Sequence, residues 1–261
     1  LQTGYVRTML PLEDDFSDIL RKASRGTGTD PASLADLDLA EIARRLRLDP
    51  QKLAASRDQS WHPHVELPAD VRHHPQNPHP SNGYVFFIAG TQRAALVDPA
   101  GIPANLLRVL RDGAYNLQYI LITHQHADHC DATADVARAF PDARIVMHRA
   151  DVHAIGAYAA KALLVRDGED LPFGDDAHIR MIHTPGHTDG SVSYLFKSNV
   201  FTGDTLFAGS VGGAYADVAT YDDILNSVRS KLFTLPDETA VMPGHGPPTT
   251  IALEKAHNPF F

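Results

Sequence analysis

The sequence predicts an α/β body with a small helical segment in front of it. Two patterns carry that reading. From residue 83 onward, short β-rich runs are mixed with helical stretches. Over residues 13–60, apolar residues recur at three- and four-residue spacing. Composition agrees: hydrophobic residues make up 43% and charged residues 21% of 261, which excludes wholesale disorder. The net charge of −9 leaves no broad basic field for nucleic acid or an anionic membrane. No apolar run approaches the ~18 residues of a membrane span, and no secretory signal pattern opens the chain. The single cysteine, Cys130, excludes an internal disulfide framework and fits a reducing compartment. A cytoplasmic protein acting on a small molecule, with a homodimer as an open option, is expected.

Residues 1–60 are assigned to the helical segment. Leu12, Phe16, Ile19 and Leu20 make one apolar face, a Gly/Thr/Asp/Pro break follows at 26–31, and Leu34 to Leu53 suggest two or three short helices. Residues 40–53 resemble the first helices of a helix-turn-helix domain. Residues 13–60 hold eight basic and ten acidic side chains, so the segment reads first as a cap or dimerisation element beside the site, removable without emptying it, with a module binding DNA or a protein partner as the alternative. Residues 61–82, with five prolines and five histidines, read as a solvated connector, since proline disfavours helix and central strand.

The body is assigned to residues 83–261. Residues 84–88 and 94–97 read as a hairpin, 106–110 as helix, 119–123 as a buried strand, 133–140 as helix, 144–147 as strand and 150–164 as a longer helix. Further strands are expected at 179–183, 191–195, 200–202 and 239–241.

Histidine is the outlier, with fifteen. Three of them, His124, His126 and His129, share one turn with Asp128 directly after a strand. Imidazole and carboxylate are the usual ligands of zinc and non-haem iron. Three later turns repeat one syntax, each setting a possible ligand on a glycine-containing turn at a strand end: His187 in Thr-Pro-Gly-His, Asp204 in Thr-Gly-Asp, and His245 in Pro-Gly-His.

These motifs resemble the metallo-β-lactamase-fold hydrolase superfamily, in its glyoxalase II-like branch, over about residues 82–261. Its HxHxDH signature matches 124–129, and His187, Asp204 and His245 fill its remaining ligand positions. The resemblance implies a four-layer αββα sandwich. It implies one metal held by His124, His126 and His187, a second by Asp128, His129 and His245, and a bridge through Asp204. Asp98 resembles the strand-end acid that supports the metal loop. The implied cofactors are two divalent ions, zinc first, with iron or manganese as alternatives. The implied reaction is attack of a metal-bridging hydroxide on a thioester or related ester, with Asp128 holding the proton of the nucleophilic water and Asp204 shared by both metals.

Two alternatives share the motif. Persulfide dioxygenases are similar in the whole HxHxDH run and the short interval from His187 to Asp204, and would imply one iron on His124, His187 and Asp204. Lactonases of this fold share all seven ligands. Only sixteen residues follow His245, so the glutathione-binding helical domain of glyoxalase II is not expected. Tyr215 matches a substrate-holding tyrosine of that family, whereas Gly213 stands where the family has a basic residue. Phe207 and Tyr215 are expected to line the pocket; Cys130, Tyr158 and Phe173 are expected to pack.

Overall fold

The computed structural model describes residues 11–76 and 78–261. Residues 1–10 of the expected helical segment and Asn77 of the connector lie outside these. The architecture is an αββα sandwich. The first sheet runs in order through β1 (Val71–Pro75), β2 (Asn82–Phe87), β3 (Arg93–Val97), β4 (Asn116–Leu121), β5 (Arg144–His148) and β6 (Leu163–Val165). Its first two pairings are antiparallel and its last three parallel. The second sheet holds β7 (Asp170–Pro172), β8 (His178–His183), β9 (Val192–Phe196) and β10 (Asn199–Gly203). A small hairpin, β11 (Leu206–Phe207) and β12 (Ser210–Val211), leads on to β13 (Ala240–Pro243) and β14 (Thr249–Thr250). The second sheet's order is β14-β13-β10-β9-β8-β7, with β10 and β13 parallel.

Both sheets are covered on both faces, which is why their strands read as nearly continuous apolar runs. Along β2, Tyr84 and Phe86 face the core between the sheets while Val85 faces outward, as the two-residue period of a strand requires. Phe86, Phe173, Phe196 and Phe201 form the aromatic centre of that inner core, with Phe86 stacked on Phe196 and Phe201 at 4.8 and 4.9 Å. Outside the first sheet lie α4 (Pro103–Asp112), α5 (Ala127–Cys130) and α6 (Thr133–Ala139) in chain order, with Leu106, Leu110 and Val136 packed on its outer face.

Outside the second sheet lie α7 (Tyr221–Ser230), α8 (Ile251–His257) and the amino-terminal helices α1 (Phe16–Thr27), α2 (Leu39–Leu46) and α3 (Pro50–Arg57). Ile19, Ala23, Leu46 and Leu53 share one buried cluster with Val200 and Val241 of the sheet and Ile224 of α7. The amino-terminal segment therefore completes the outer layer over the second sheet. Several of its acidic residues are helix caps: Asp15 accepts from Asp18 N, Asp38 from Glu41 N, and Asp49 from Gln51 N and Lys52 N. Arg44 and Arg45 share Glu41, and Arg47 pairs with Asp222, so each arginine of α2 and its cap has an acidic partner.

Two expectations are corrected. The connector contains β1, which pairs with β2, so the body begins before residue 83. Its proline is tolerated because Pro75 closes an edge strand, where a missing N–H breaks no central ladder. His74 on this strand is buried and His73 is bonded to Asn82 Oδ1 at 2.7 Å, so these two histidines are not solvated. The expected long helix over 150–164 is a 3-10 stretch, Val152–Lys161, broken at Gly156 (φ 55°) and followed by β6.

Glu254 fastens α8 to the hairpin beyond Asp204. It is fully buried and accepts from Gly209 N (2.9 Å), Thr249 Oγ1 (2.7 Å) and Asn258 Nδ2 (2.8 Å). Burial pushes its carboxyl up from 4.5 to about 7. The folded chain therefore keeps a proton that the unfolded chain has already lost. That contribution is full below the unfolded value and fades as pH rises through the folded one, by on the order of 3 kcal/mol in all. Glu254→Gln reproduces the protonated form, with its amide nitrogen toward the Thr249 hydroxyl. In urea unfolding of chelator-treated protein, the variant is expected to match the parent near about pH 4.5 and exceed its stability near about pH 8. An unchanged decline in the variant would contradict this.

Candidate metal centre

In the second sheet β8, β10 and β13 run in one direction, so their carboxyl ends lie along one edge. His187 follows β8, Asp204 follows β10 and His245 follows β13; the turn after β4 brings His124, His126, Asp128 and His129 to the same place. The structure thus draws together all seven side chains singled out in the sequence. Three groups have ligand atoms within 4.8 Å of one another: His124, His126 and His187; His124, His129 and Asp204; and Asp128, His129 and His245. Asp204 lies between the outer two. Its Oδ1 is 3.3 Å from His129 Nε2, and its Oδ2 is 3.4 Å from His187 Nε2, 3.5 Å from His245 Nε2 and 4.0 Å from His124 Nε2.

The hydrogen bonds behind the rings set the tautomers. His129 Nδ1 donates to Asp98 Oδ2 at 2.9 Å, and His187 Nδ1 donates to Gly213 O at 2.6 Å. The Thr123 hydroxyl gives its one proton to Asp98 Oδ2 (2.8 Å) and so accepts from His124 Nδ1 (3.0 Å). Each of these three rings, when neutral, has its proton committed at Nδ1 and turns a bare Nε2 lone pair inward. Those nitrogens crowd together: His126 Nδ1 is 3.1 Å from His124 Nε2 and 2.9 Å from His187 Nε2. Asp204 Oδ1 is buried with no hydrogen-bond donor. Converging lone pairs around an orphaned carboxylate oxygen are what a divalent cation requires and what neutral packing avoids. The donor set therefore fits metal ions. Its imidazoles and carboxylates suit zinc, iron or manganese.

The charges are coupled to this geometry. Burial and the neighbouring His129 and His187 hold His124 far below the usual imidazole range. Burial likewise takes His187 to about 4, against the pull of Asp204. His129 goes the other way: burial opposes its charge, but Asp204 and then Asp98 raise it to about 9. Burial works against ionising Asp204, yet His129, His245 and His187 hold it below the usual carboxylate value.

Several supporting residues carried no sequence motif. Asp98 did: it sits at φ 53°, an uncommon conformation for a residue with a Cβ, and this aims its carboxylate at Thr123 N, Thr123 Oγ1 and His129. Its backbone oxygen accepts from Gln76, a connector residue. Asp151 is buried and ties two ligand turns together, accepting from Gln125 N (3.0 Å), Thr188 Oγ1 (2.6 Å) and Gly190 N (2.9 Å). Asn82 clamps the His245 turn by donating to Pro243 O (3.1 Å) and Gly246 O (2.9 Å). Ser81 Oγ donates to Asp128 O at 2.6 Å. Gly212 and Gly244 are required by close approach: a Cβ on either would collide with the Asp204 carbonyl oxygen and Asp204 Oδ1, respectively.

Tyr215 is 54% exposed, with its ring edge-on to His187 at 5.5 Å and His126 at 6.1 Å. Phe207, expected to line the pocket, is buried beside His245, and Lys22 Nζ covers its ring at 4.9 Å. Cys130 is buried with its thiol pushed up to about 12, largely by burial. Phe173 lies in the inner core, and Tyr158 packs outside the first sheet. His148 and His183 stack on each other at 4.2 Å, away from the seven.

A family profile described as the metallo-beta-lactamase superfamily matches residues 78–245. The chain is 30% identical over 205 residues to the probable metallo-hydrolase YqgX of Bacillus subtilis, covering 72% of this chain and 96% of that one. It is 30% identical over 186 residues to the hydroxyacylglutathione hydrolase GloC of Haemophilus influenzae, covering 65% and 87%. The crystal structure of TTHA1623 in a di-iron-bound form superposes with a TM-score of 0.63 at 30% identity, covering 73% of this chain and all of that one.

Asp98→Asn removes the anion that holds His129 in its inward-facing tautomer. Metal affinity, read by competition with a chromophoric chelator, is expected to fall by roughly 10- to 100-fold. Parental affinity in the variant would contradict that role.

Proposed function

The chain belongs to the metallo-beta-lactamase superfamily, and from that premise we propose that it is a binuclear metal-dependent hydrolase of a thioester or related ester. The observation that carries the reading is the pair of three-residue groups flanking one buried carboxylate, His124, His126 and His187 on one side of Asp204 and Asp128, His129 and His245 on the other. Divalent ions held there would polarise a carbonyl group and make water acidic enough to ionise near neutral pH. Asp204 supplies the anion common to both groups. The Asp128 side chain is 30% exposed, with Oδ2 3.4 Å from His245 Nε2, so it faces both the cluster and solvent. Burial opposes its ionisation, but His245 and His129 hold it well below the usual carboxylate range. It is therefore an ionised acceptor that can orient a water by taking a hydrogen bond from it. Nothing in this scheme needs a protein nucleophile, and Cys130 is held as a buried thiol.

The wall of the mouth supports a substrate with an anionic tail. Gly213 provides no cation, but Arg25 of α1 lies over the Tyr215 ring at 5.4 Å. Both line a groove of about 580 Å³ between α1 and residues 212–215. The likeness to a protein named hydroxyacylglutathione hydrolase points the same way. Zinc is the first choice of metal, with iron or manganese next. No helix among the described residues is long and apolar enough to cross a membrane, and a cytoplasmic site of action remains part of the proposal. A second reading, one iron acting on a persulfide, would use His124, His187 and Asp204, whose Oδ2 is within 4.0 Å of both imidazoles.

Elemental mass spectrometry on untagged protein, followed by a thioester and lactone panel, tests the proposal. About two ions per chain with thioester turnover are expected; about one iron with oxygen uptake on a persulfide would overturn it. Asp204→Asn is expected to abolish turnover and lower metal content. Full metal with near-parental turnover would contradict its shared role. Arg25→Ala is expected to raise KM several-fold for anionic thioesters and leave kcat and the KM of neutral ones unchanged. A parental KM for anionic thioesters in the variant would remove Arg25 from the binding surface.

A further inference from the structure

His245 is the exception among the buried histidines of the centre. His124, His129 and His187 each have a partner for Nδ1, in Thr123, Asp98 and the Gly213 carbonyl. His245 Nδ1 is buried and has none within hydrogen-bonding distance. The acid facing it comes from outside the family match: Glu13, just before α1, has Oε2 3.7 Å from that nitrogen. The approach is packed rather than incidental. Gly246 sits at φ 73°, and a Cβ there would come within 3.1 Å of Glu13 N. Glu13 also lies next to Asp14, which pairs with Lys22 and accepts from Ser210 Oγ, so the start of α1 is tied to the β11–β12 hairpin beside the centre.

We propose that Glu13 is a positioning residue for His245, accepting a hydrogen bond from its Nδ1–H and so keeping the bare Nε2 lone pair turned toward Asp128 and Asp204. A separation of 3.7 Å exceeds a hydrogen bond, and a small side-chain adjustment closes it. Engagement of Nε2 by a cation makes Nδ1–H a stronger donor, which favours that closure. The amino-terminal helical layer would then contribute directly to one of the two metal positions. This inference rests on the binuclear reading.

The test is metal affinity rather than turnover alone. Zinc binding to the full chain would be followed by chelator competition for the parent, Glu13→Gln and Glu13→Ala. The parent is expected to bind two ions. Glu13→Ala is expected to bind one of them roughly 10- to 100-fold more weakly and the other unchanged. Glu13→Gln, which keeps a neutral acceptor, should lie between. The metal-free variants should melt like the parent, because the carboxylate is partly exposed. Two ions held at parental affinity in Glu13→Ala would overturn the inference, as would equal weakening of both. A parent that binds a single ion would contradict the binuclear reading instead; Glu13→Ala must then still weaken that ion, or this inference fails as well.

Discussion

The burial of one carboxylate among inward-facing imidazole lone pairs is the constraint on which the rest of the molecule depends. Asp204 sits within about 4 Å of four imidazole nitrogens, with one carboxylate oxygen lacking any hydrogen-bond donor. Without a compensating cation such an arrangement is costly, because bare acceptors and a buried charge lose their hydration. The fold therefore has to hold the groups in place. It does so from strand ends, with turns whose glycines let backbone come close, and with a rear layer of acceptors that fixes each ring. Asp98 illustrates the arrangement. Its left-handed backbone conformation is unfavourable alone, and Thr123, His129 and Gln76 hold it there.

The same demand explains why segments remote in sequence meet at the centre. The 61–82 stretch supplies Gln76, Ser81 and Asn82, which grip the Asp98, Asp128 and His245 regions in turn. The turn before the 3-10 stretch supplies Asp151, which locks the His124–His126 turn to the turn after His187. The amino-terminal helices close the outer face of the second sheet and bring Lys22 and Arg25 over Phe207 and Tyr215. The site is thus enclosed in part by residues that precede the segment matched by the family profile.

The seven clustered residues were legible because the chemistry itself is local: several ligands on one turn, then one ligand per glycine-containing strand end. Asp98 was legible only through the family resemblance, because a lone acid after a strand has no spacing signature of its own. The strands flanking the inner core were legible from continuous apolar runs. The edge strand β1 was hidden because its two histidines and closing proline give no apolar pattern, and its register is set by β2. The break at Gly156 was hidden inside an alanine-rich run that favours helix locally. Asp151, Asn82 and Gln76 act through contacts with distant chain, and no spacing rule marks them. Phe207 was expected to line the pocket; its burial beside His245 and under Lys22 depends on α1, which no local reading of residues 204–215 contains.

Anomalous diffraction from crystals grown with zinc would test the central claim most directly. The account expects two peaks, one among His124, His126 and His187 and one among Asp128, His129 and His245, with Asp204 reaching both. A single peak, or peaks away from these side chains, would contradict it.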